Sequence, residues 1–151
     1  MADEVRAFEL ELKREWLDTV EDISTFVQMI GLQLLSGIVM KTPVDTGRAR
    51  GNWTLTVGSI DATVKADFDK TGQATITKAN SAVQAFPDKF PWPIIYVQNN
   101  LPYIGTLENG RIVEINQRTG FPQWFGSVQA PAGMVALTIS EVEAQFDGME
   151  I

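Results

Sequence analysis

The feature that most constrains this chain is a run of apolar residues at helical spacing that ends against a proline. Trp16, Val20, Ile23, Val27, Ile30, Leu34 and Ile38 recur at steps of three and four, with Asp18, Glu21, Asp22 and Gln33 set away from them. That pattern is one apolar stripe on a long amphipathic helix, and it predicts helix as far as Met40 or Lys41. Pro43 ends it, because the residue before a proline avoids helical backbone angles. Gly31 and Gly37 either weaken the helix slightly or let another backbone approach it closely. Ahead of Trp16 the period changes. Phe8, Leu10 and Leu12 alternate with Glu9, Glu11 and Lys13, which predicts a short strand or extended arm there.

Something must cover such a stripe, and the rest of the chain offers strands and a second helix. Trp53, Leu55 and Val57 alternate with Thr54, Thr56 and Gly58, a half-buried strand. Residues 94–98 read as another strand by their β-branched and aromatic content. Between them, residues 74–77 read as a strand after the Thr71-Gly72 turn, and 79–86 as a short helix. Residues 101–109 predict a short helix opened by Pro102 and stopped by Gly110. Residues 111–126 predict a long hairpin or loop, with Ile112, Val113 and Ile115 on its outgoing arm. Residues 132–146 carry Met134, Val135, Leu137, Ile139, Val142 and Phe146 and predict a C-terminal helix. The expected fold is α+β, one domain over residues 1–151. In it the long N-terminal helix and the C-terminal helix pack on one face of a small antiparallel β-sheet. Open sheet edges need pairing, which in a ring assembly the neighbouring subunit supplies.

Composition narrows the function. A chain of 151 residues can bury about two-thirds of its extended surface, so one core needs no covalent staple. None is available: there is no cysteine, which rules out disulfides, thiolate metal sites and a cysteine nucleophile and suits a reducing cytoplasm. Histidine is absent too, removing the usual general base near neutral pH and the commonest zinc ligand. A formal net charge of -7 argues against a nucleic-acid binder, leaving room only for a local basic patch inside a DNA channel. Gln28, Gln33 and Ser36 interrupt the first helix, and the start Met1-Ala2-Asp3-Glu4 is acidic where a signal peptide is basic. A soluble chain without a membrane partner is therefore expected. The acids of the first 22 residues, and Glu141, Glu143, Asp147 and Glu150, show no calcium-loop spacing. No glycine-rich phosphate loop is present, so no cofactor or metal is expected.

The chemical motif that stands out is Asp45-Thr46-Gly47, the triplet that presents the catalytic carboxylate in aspartic proteases. Two such carboxylates share a proton, and a homodimer would supply the second. Against this, Arg48 and Arg50 sit close enough to hold Asp45 ionised, and no second half of a protease site follows. The simpler reading is a turn, with Asp45 and Thr46 bonding its backbone and Gly47 supplying a positive φ. Arg48 and Arg50 then alternate with Ala49 into a strand at Asn52. They would face one way beside a sheet edge, either solvated or paired with a partner's carboxylates.

Two further segments are rich in aromatic residues and proline: 86–93, and Phe121, Pro122, Trp124 and Phe125. Either they fold over their own core, or they anchor another protein, because aromatic side chains dominate interfaces. The 111–126 segment exceeds the usual connection length, which favours a partner-binding role for Phe121, Trp124 and Phe125, with Gly120 and Gly126 as hinges.

Residues 42–53, from Thr42-Pro43-Val44-Asp45-Thr46-Gly47 through Arg48, Arg50 and Asn52 to Trp53, resemble the signature that follows the first helix in a family of phage proteins. These are the neck and tail-completion (minor tail) proteins of long-tailed bacteriophages and prophages. Two later regions are similar in the same order: 97–103 with 107–110, and 127–135. The resemblance implies a non-enzymatic ring subunit between connector and tail-tube or terminator proteins without fixing the ring size; a hexameric ring is the expectation for the homo-oligomer. DNA would only pass through its channel, and the protein would reside in the virion after assembly in the host cytoplasm. The chain departs from the family at 111–126, which reads as an insertion. The competing classes are an aspartic-type protease using Asp45-Thr46-Gly47 in a homodimer, and a monomeric regulator or inhibitor.

Overall fold

The computed structural model describes residues 2–110, 112–125, 128–130 and 132–147, without the side chains of Ala2, Ile112 and Phe125. In chain order the elements are α1 (Ala2–Lys41), α2 (Arg48–Gly51), β1 (Thr54–Val57), α3 (Gln73–Val83), β2 (Ile95–Gln98), α4 (Ile104–Glu108), β3 (Ile112–Ile115), β4 (Pro122–Phe125) and α5 (Val135–Phe146). The class is α+β as expected, with the strands forming two antiparallel ribbons, β1–β2 and β3–β4.

The long helix ends where Pro43 requires but starts at Ala2, so no strand or extended arm precedes Trp16. The alternation of Phe8, Leu10 and Leu12 misled because the same residues also fit a helical stripe: Val5, Phe8, Leu12 and Trp16 recur at steps of three and four. Glu, Leu, Lys and Arg there are strong helix formers, and Asp3 and Glu4 favour a helix N-terminus. At about 1.5 Å per residue, α1 is roughly 60 Å long. By length and composition it contains an 18-residue window apolar enough to cross a membrane, mean hydropathy 1.7, despite Gln28, Gln33 and Ser36. In this fold the same part of α1 carries the core residues Leu35, Ile38 and Val39.

Those three side chains meet Trp53 and Leu55 of the β1 region, Ala79 and Val83 of α3, and Ala130 and Met134 on the approach to α5. β1 pairs with β2 from Thr54↔Gln98 to Val57↔Ile95. The last helix lies against α1, where Gly37 makes room. A Cβ at Gly37 would stand 2.6 Å from Thr138 Cγ2, so the close approach foreseen for that glycine is to a buried α5 side chain. Phe26 meets Phe146 edge-on at 5.1 Å between ring centroids, and Lys41 bonds Glu141 at 2.6 Å.

Residues 74–77 are not a strand but the first turn of α3. Thr75, Ala79 and Val83, spaced four apart, are buried on one face, so tertiary packing overrides the β preference of Thr and Ile. Asp69 caps the helix: its carboxylate accepts the Gly72 N–H at 3.0 Å, the Thr75 N–H at 2.8 Å and the Thr75 hydroxyl at 2.7 Å. Likewise Arg48-Ala49-Arg50-Gly51 is a helical turn rather than an alternating lead-in to a strand, so the two arginines do not share a face.

Candidate functional site

The region of the signature is a groove of 460 Å³ between the 43–49 segment, the α4 region and Gln129. Its walls come from all three stretches that carried the family resemblance. Two polar side chains bring them together. Gln129 clamps the backbone of Val44, its Oε1 accepting the Val44 N–H at 2.9 Å and its Nε2 donating to the Val44 carbonyl at 3.4 Å. Glu108 caps α5, its carboxylate accepting the N–H groups of Met134, Val135 and Ala136 at 2.9, 2.8 and 3.0 Å. A helix start supplies unpaired N–H groups and a favourable dipole for a carboxylate, which ties α4 to α5. Burial pushes the Glu108 carboxyl up, but the N–H groups of Val135, Ala136 and Met134 more than offset this and hold it below the usual range.

Behind the groove, most signature residues point inward. The Thr42 hydroxyl donates to Ile38 O at 2.7 Å and accepts the Trp53 indole N–H at 2.8 Å. Arg50 donates to the carbonyls of Met40 (3.0 Å), Thr42 (3.0 Å) and Lys70 (2.7 Å), closing the C-terminus of α1. Asn52 bridges Arg48 O and both backbone groups of Lys65. Asn99 donates to Ala49 O, and Asn100 to the carbonyls of Asp61 and Thr63. Thus the 58–72 segment, without regular structure until α3, is held by amides from β1 and β2 edges. Lys65 bonds Asp61 at 2.5 Å and, with Thr63, holds its carboxyl well below the usual range. Asp69 is also lowered: burial raises it, but bonds from Thr75, Gly72 and Thr71 win.

The turn at Asp45-Thr46-Gly47 forms as expected in two of its three residues. Gly47 has φ +87°, and a Cβ there would stand 2.6 Å from the Asp69 backbone. Thr46 Oγ1 accepts the Arg48 N–H at 3.3 Å. The Asp45 side chain is exposed and bonds nothing among the described residues, so it does not hold the turn. Among the described residues Asp45 is also the sole carboxylate on the groove lining. Arg48 is exposed beside it, whereas Arg50 is directed into the chain.

Within the 111–126 segment, residues 112–125 form a hairpin. β3 pairs with β4 from Ile112↔Phe125 to Ile115↔Pro122. Its tip is 117–120, fixed by Asn116, whose Oδ1 accepts the N–H groups of Arg118 and Thr119. Gly120, φ +71°, donates to Asn116 O, so it closes the turn and does not act as a hinge. Gly126 lies outside the described residues. Strand alternation puts Val113, Ile115, Pro122 and Trp124 on one face and Phe121 on the other. Phe121 is 72% exposed and Trp124 61%, so neither folds back over the core. The other aromatic loop divides: Phe86 is buried at 4%, while Phe90 is 69% exposed and meets Trp92 edge-on.

Among the described residues no three His, Cys, Asp or Glu side chains gather as a metal site. What the surface offers is contact: an exposed carboxylate and guanidinium at the groove, and apolar faces on the hairpin and on α1. The residues sequence reasoning missed are Glu108, Asp69 and Gln129. Glu108 ends a glycine-stopped helix, and its capping partner lies 26 residues on, so no local pattern reveals it. Comparison with protein-family models, curated proteins and solved structures found no match.

Proposed function

We propose that this chain is a structural protein of a tailed-phage virion, a ring subunit at the head–tail junction between connector and tail tube. The observation that carries this reading is an unfinished surface. Phe121 and Trp124 on the hairpin, and Val5, Phe8, Leu12 and Trp16 on α1, are each about half or more exposed. Exposed apolar surface forgoes about 25 cal/mol per Å² of burial, and contiguous patches of it mark interaction sites. The resemblance of the 42–53, 97–110 and 127–135 stretches supplies the virion context, and their meeting at one groove supports treating them as one signature. In this reading the homo-oligomer is a hexameric ring. Arg48 and the hairpin aromatics Phe121, Trp124 and Phe125 meet neighbouring proteins, and DNA passes through without sequence-specific contact.

The test is a phage or prophage carrying a stop codon early in this gene. Lysates should contain filled heads and complete tails that remain unjoined, and the chain supplied from a plasmid should restore joined particles. Fully infectious virions without the chain, or a single copy of it per virion, would sink the proposal.

A further inference from the structure

The segment leading from β1 to α3 turns its apolar residues outward and its charged ones inward. From Val64 to Lys70 exposed and half-buried residues alternate without a break, the two-residue period of a strand. The half-buried set is acidic and basic: Asp61 bonds Lys65 at 2.5 Å, Asp67 bonds Lys78 at 2.8 Å, and Asp69 caps α3. The outward set is apolar, with Ile60 66% exposed, Val64 48% and Phe68 63%, and Ala62 and Ala66 exposed between them.

The backbone divides in the same way. The Asp61 carbonyl accepts the side-chain amides of Gln98 and Asn100, and the Thr63 carbonyl accepts Asn100 at 2.8 Å. Lys65 exchanges both its N–H and its C=O with the Asn52 side chain, at 2.7 and 3.1 Å, as it would with a neighbouring strand. The Asp67 carbonyl lies against Gly51, where a Cβ would stand 2.8 Å from it, and the Asp69 N–H donates to Gly47 O at 2.9 Å. The N–H and C=O groups of Ala62, Val64, Ala66 and Phe68 bond nothing among the described residues. One edge of an extended strand is tied to the fold, and the other is open. Open edges are normally guarded by proline or by outward charge. From Ile60 to Phe68 there is no proline, and Lys65 is turned onto Asp61.

We infer that two copies of this chain pair along this open edge, antiparallel and centred on Val64. A row of alternating backbone donors and acceptors is matched by another extended backbone. Two observations select the same segment of a second copy. The first is register. By size the outward side chains read alike in both directions, large, small, large, small, large. Pairing about Val64 sets Val64 against Val64, Ala62 against Ala66, and Ile60 against Phe68, a β-branched residue facing an aromatic one. The residues set opposite each other are those whose N–H and C=O are open, so each pair exchanges both bonds. The second is charge. The chain is net -7, yet here Asp61, Asp67 and Asp69 are matched by Lys65, Lys70 and Lys78, three charges of each sign. At about 0.15 M salt, repulsion between charges farther apart than about 8 Å is largely screened. A two-fold contact does not continue around a ring, so this pair is a state of the subunit outside the ring proposed above and stands independently of it.

The unaltered chain is sedimented at up to about 1 mM and about 0.15 M salt, where even a weak pair is populated. A monomer–dimer equilibrium is expected. Val64→Pro removes the central N–H, which holds nothing within the subunit, and should weaken the dimer at least about tenfold while leaving the melting temperature within about 2 °C. Val64→Lys, which sets two ammonium groups opposite each other, repeats the test if the proline variant misfolds. The register is read by zero-length disulfide capture, unambiguous in a chain without cysteine. Directly opposed residues stand about 5.5 Å apart at Cα, within disulfide reach. Val64→Cys should therefore dimerise alone under a mild oxidant, and Ala62→Cys and Ala66→Cys only when mixed. A chain that stays monomeric at about 1 mM overturns the pairing. So does a dimer that survives the Val64 substitutions, or one in which Ala62→Cys or Ala66→Cys alone is captured as readily as the mixture.

Discussion

The signature segment and the two projecting elements are built on opposite plans. Between Thr42 and Trp53 three polar side chains turn inward: Thr42, Arg50 and Asn52 close α1, hold the 58–72 segment and fix the indole of Trp53. On the arm and hairpin the apolar side chains face solvent, and the described polar bonds are local, as at Asn116. Much of this strongly patterned motif is thus the frame of the groove. In the proposed reading, the partner surface is the exposed apolar one on the arm and hairpin. If that division is right, substitutions in the frame cost stability, and those on the projections cost assembly.

The largest loss is expected at Arg50. Arg50→Ala strips three carbonyls of a charged donor and should destabilise by about 3 kcal/mol, lowering the melting temperature by roughly 6–12 °C. Arg50→Lys should recover only part of this, because an ammonium cannot span three separated carbonyls as a guanidinium does. Calorimetry showing an unchanged melt for the alanine variant would break the comparison at its firmest point.

Next is Glu108, where a cap loss of about 1–2 kcal/mol is expected for Glu108→Gln. Its folded pKa lies below the unfolded carboxylate value of about 4.3, so its stabilisation is complete above that pH. It is lost as the pH falls through the folded value. The gap in urea midpoint between the two proteins should therefore be widest near about pH 7 and shrink toward about pH 2. A gap constant across that range would show that Glu108 acts by packing and not as a charged cap.

On the projections the order reverses. Phe121→Ser with Trp124→Ser should leave the melting temperature within about 2 °C while impairing head–tail joining. A large stability loss would place the hairpin aromatics with the core and erase the distinction between frame and projection.

Much of the frame was legible in sequence. Pro43 fixed the end of α1, alternation fixed β1, β-branched and aromatic content fixed β2, and Gly110 stopped α4. The misses share one cause. Phe8-to-Leu12 fits two periods and 74–77 is rich in β-preferring residues, and longer context decides: the continuous helix from Ala2 in one case, the buried Thr75-Ala79-Val83 face in the other. At Arg48 and Arg50 the alternation broke because Gly47 starts a helical turn and not a strand, which redirected one arginine inward. Of the exposed surface, the hairpin was legible from its length and composition. The groove was not, because Gln129 reaches Val44 across 85 residues of chain.

The smallest effect is expected at Asp45, and it separates the structural reading from the protease one. Its carboxylate bonds nothing in the turn, where Thr46 and Gly47 suffice, and among the described residues no second carboxylate lines the groove. Asp45→Asn should therefore change stability by no more than about 0.5 kcal/mol, as for an exposed position outside any network. A protease would need two copies to bring two Asp45 side chains within a shared-proton distance. The Asp45→Asn protein and the parent are compared on an unfolded protein substrate, with and without pepstatin, across acidic and neutral pH. Both should be inactive throughout. A pepstatin-sensitive cleavage present in the parent and absent from the variant would establish the dimeric protease and withdraw the structural role.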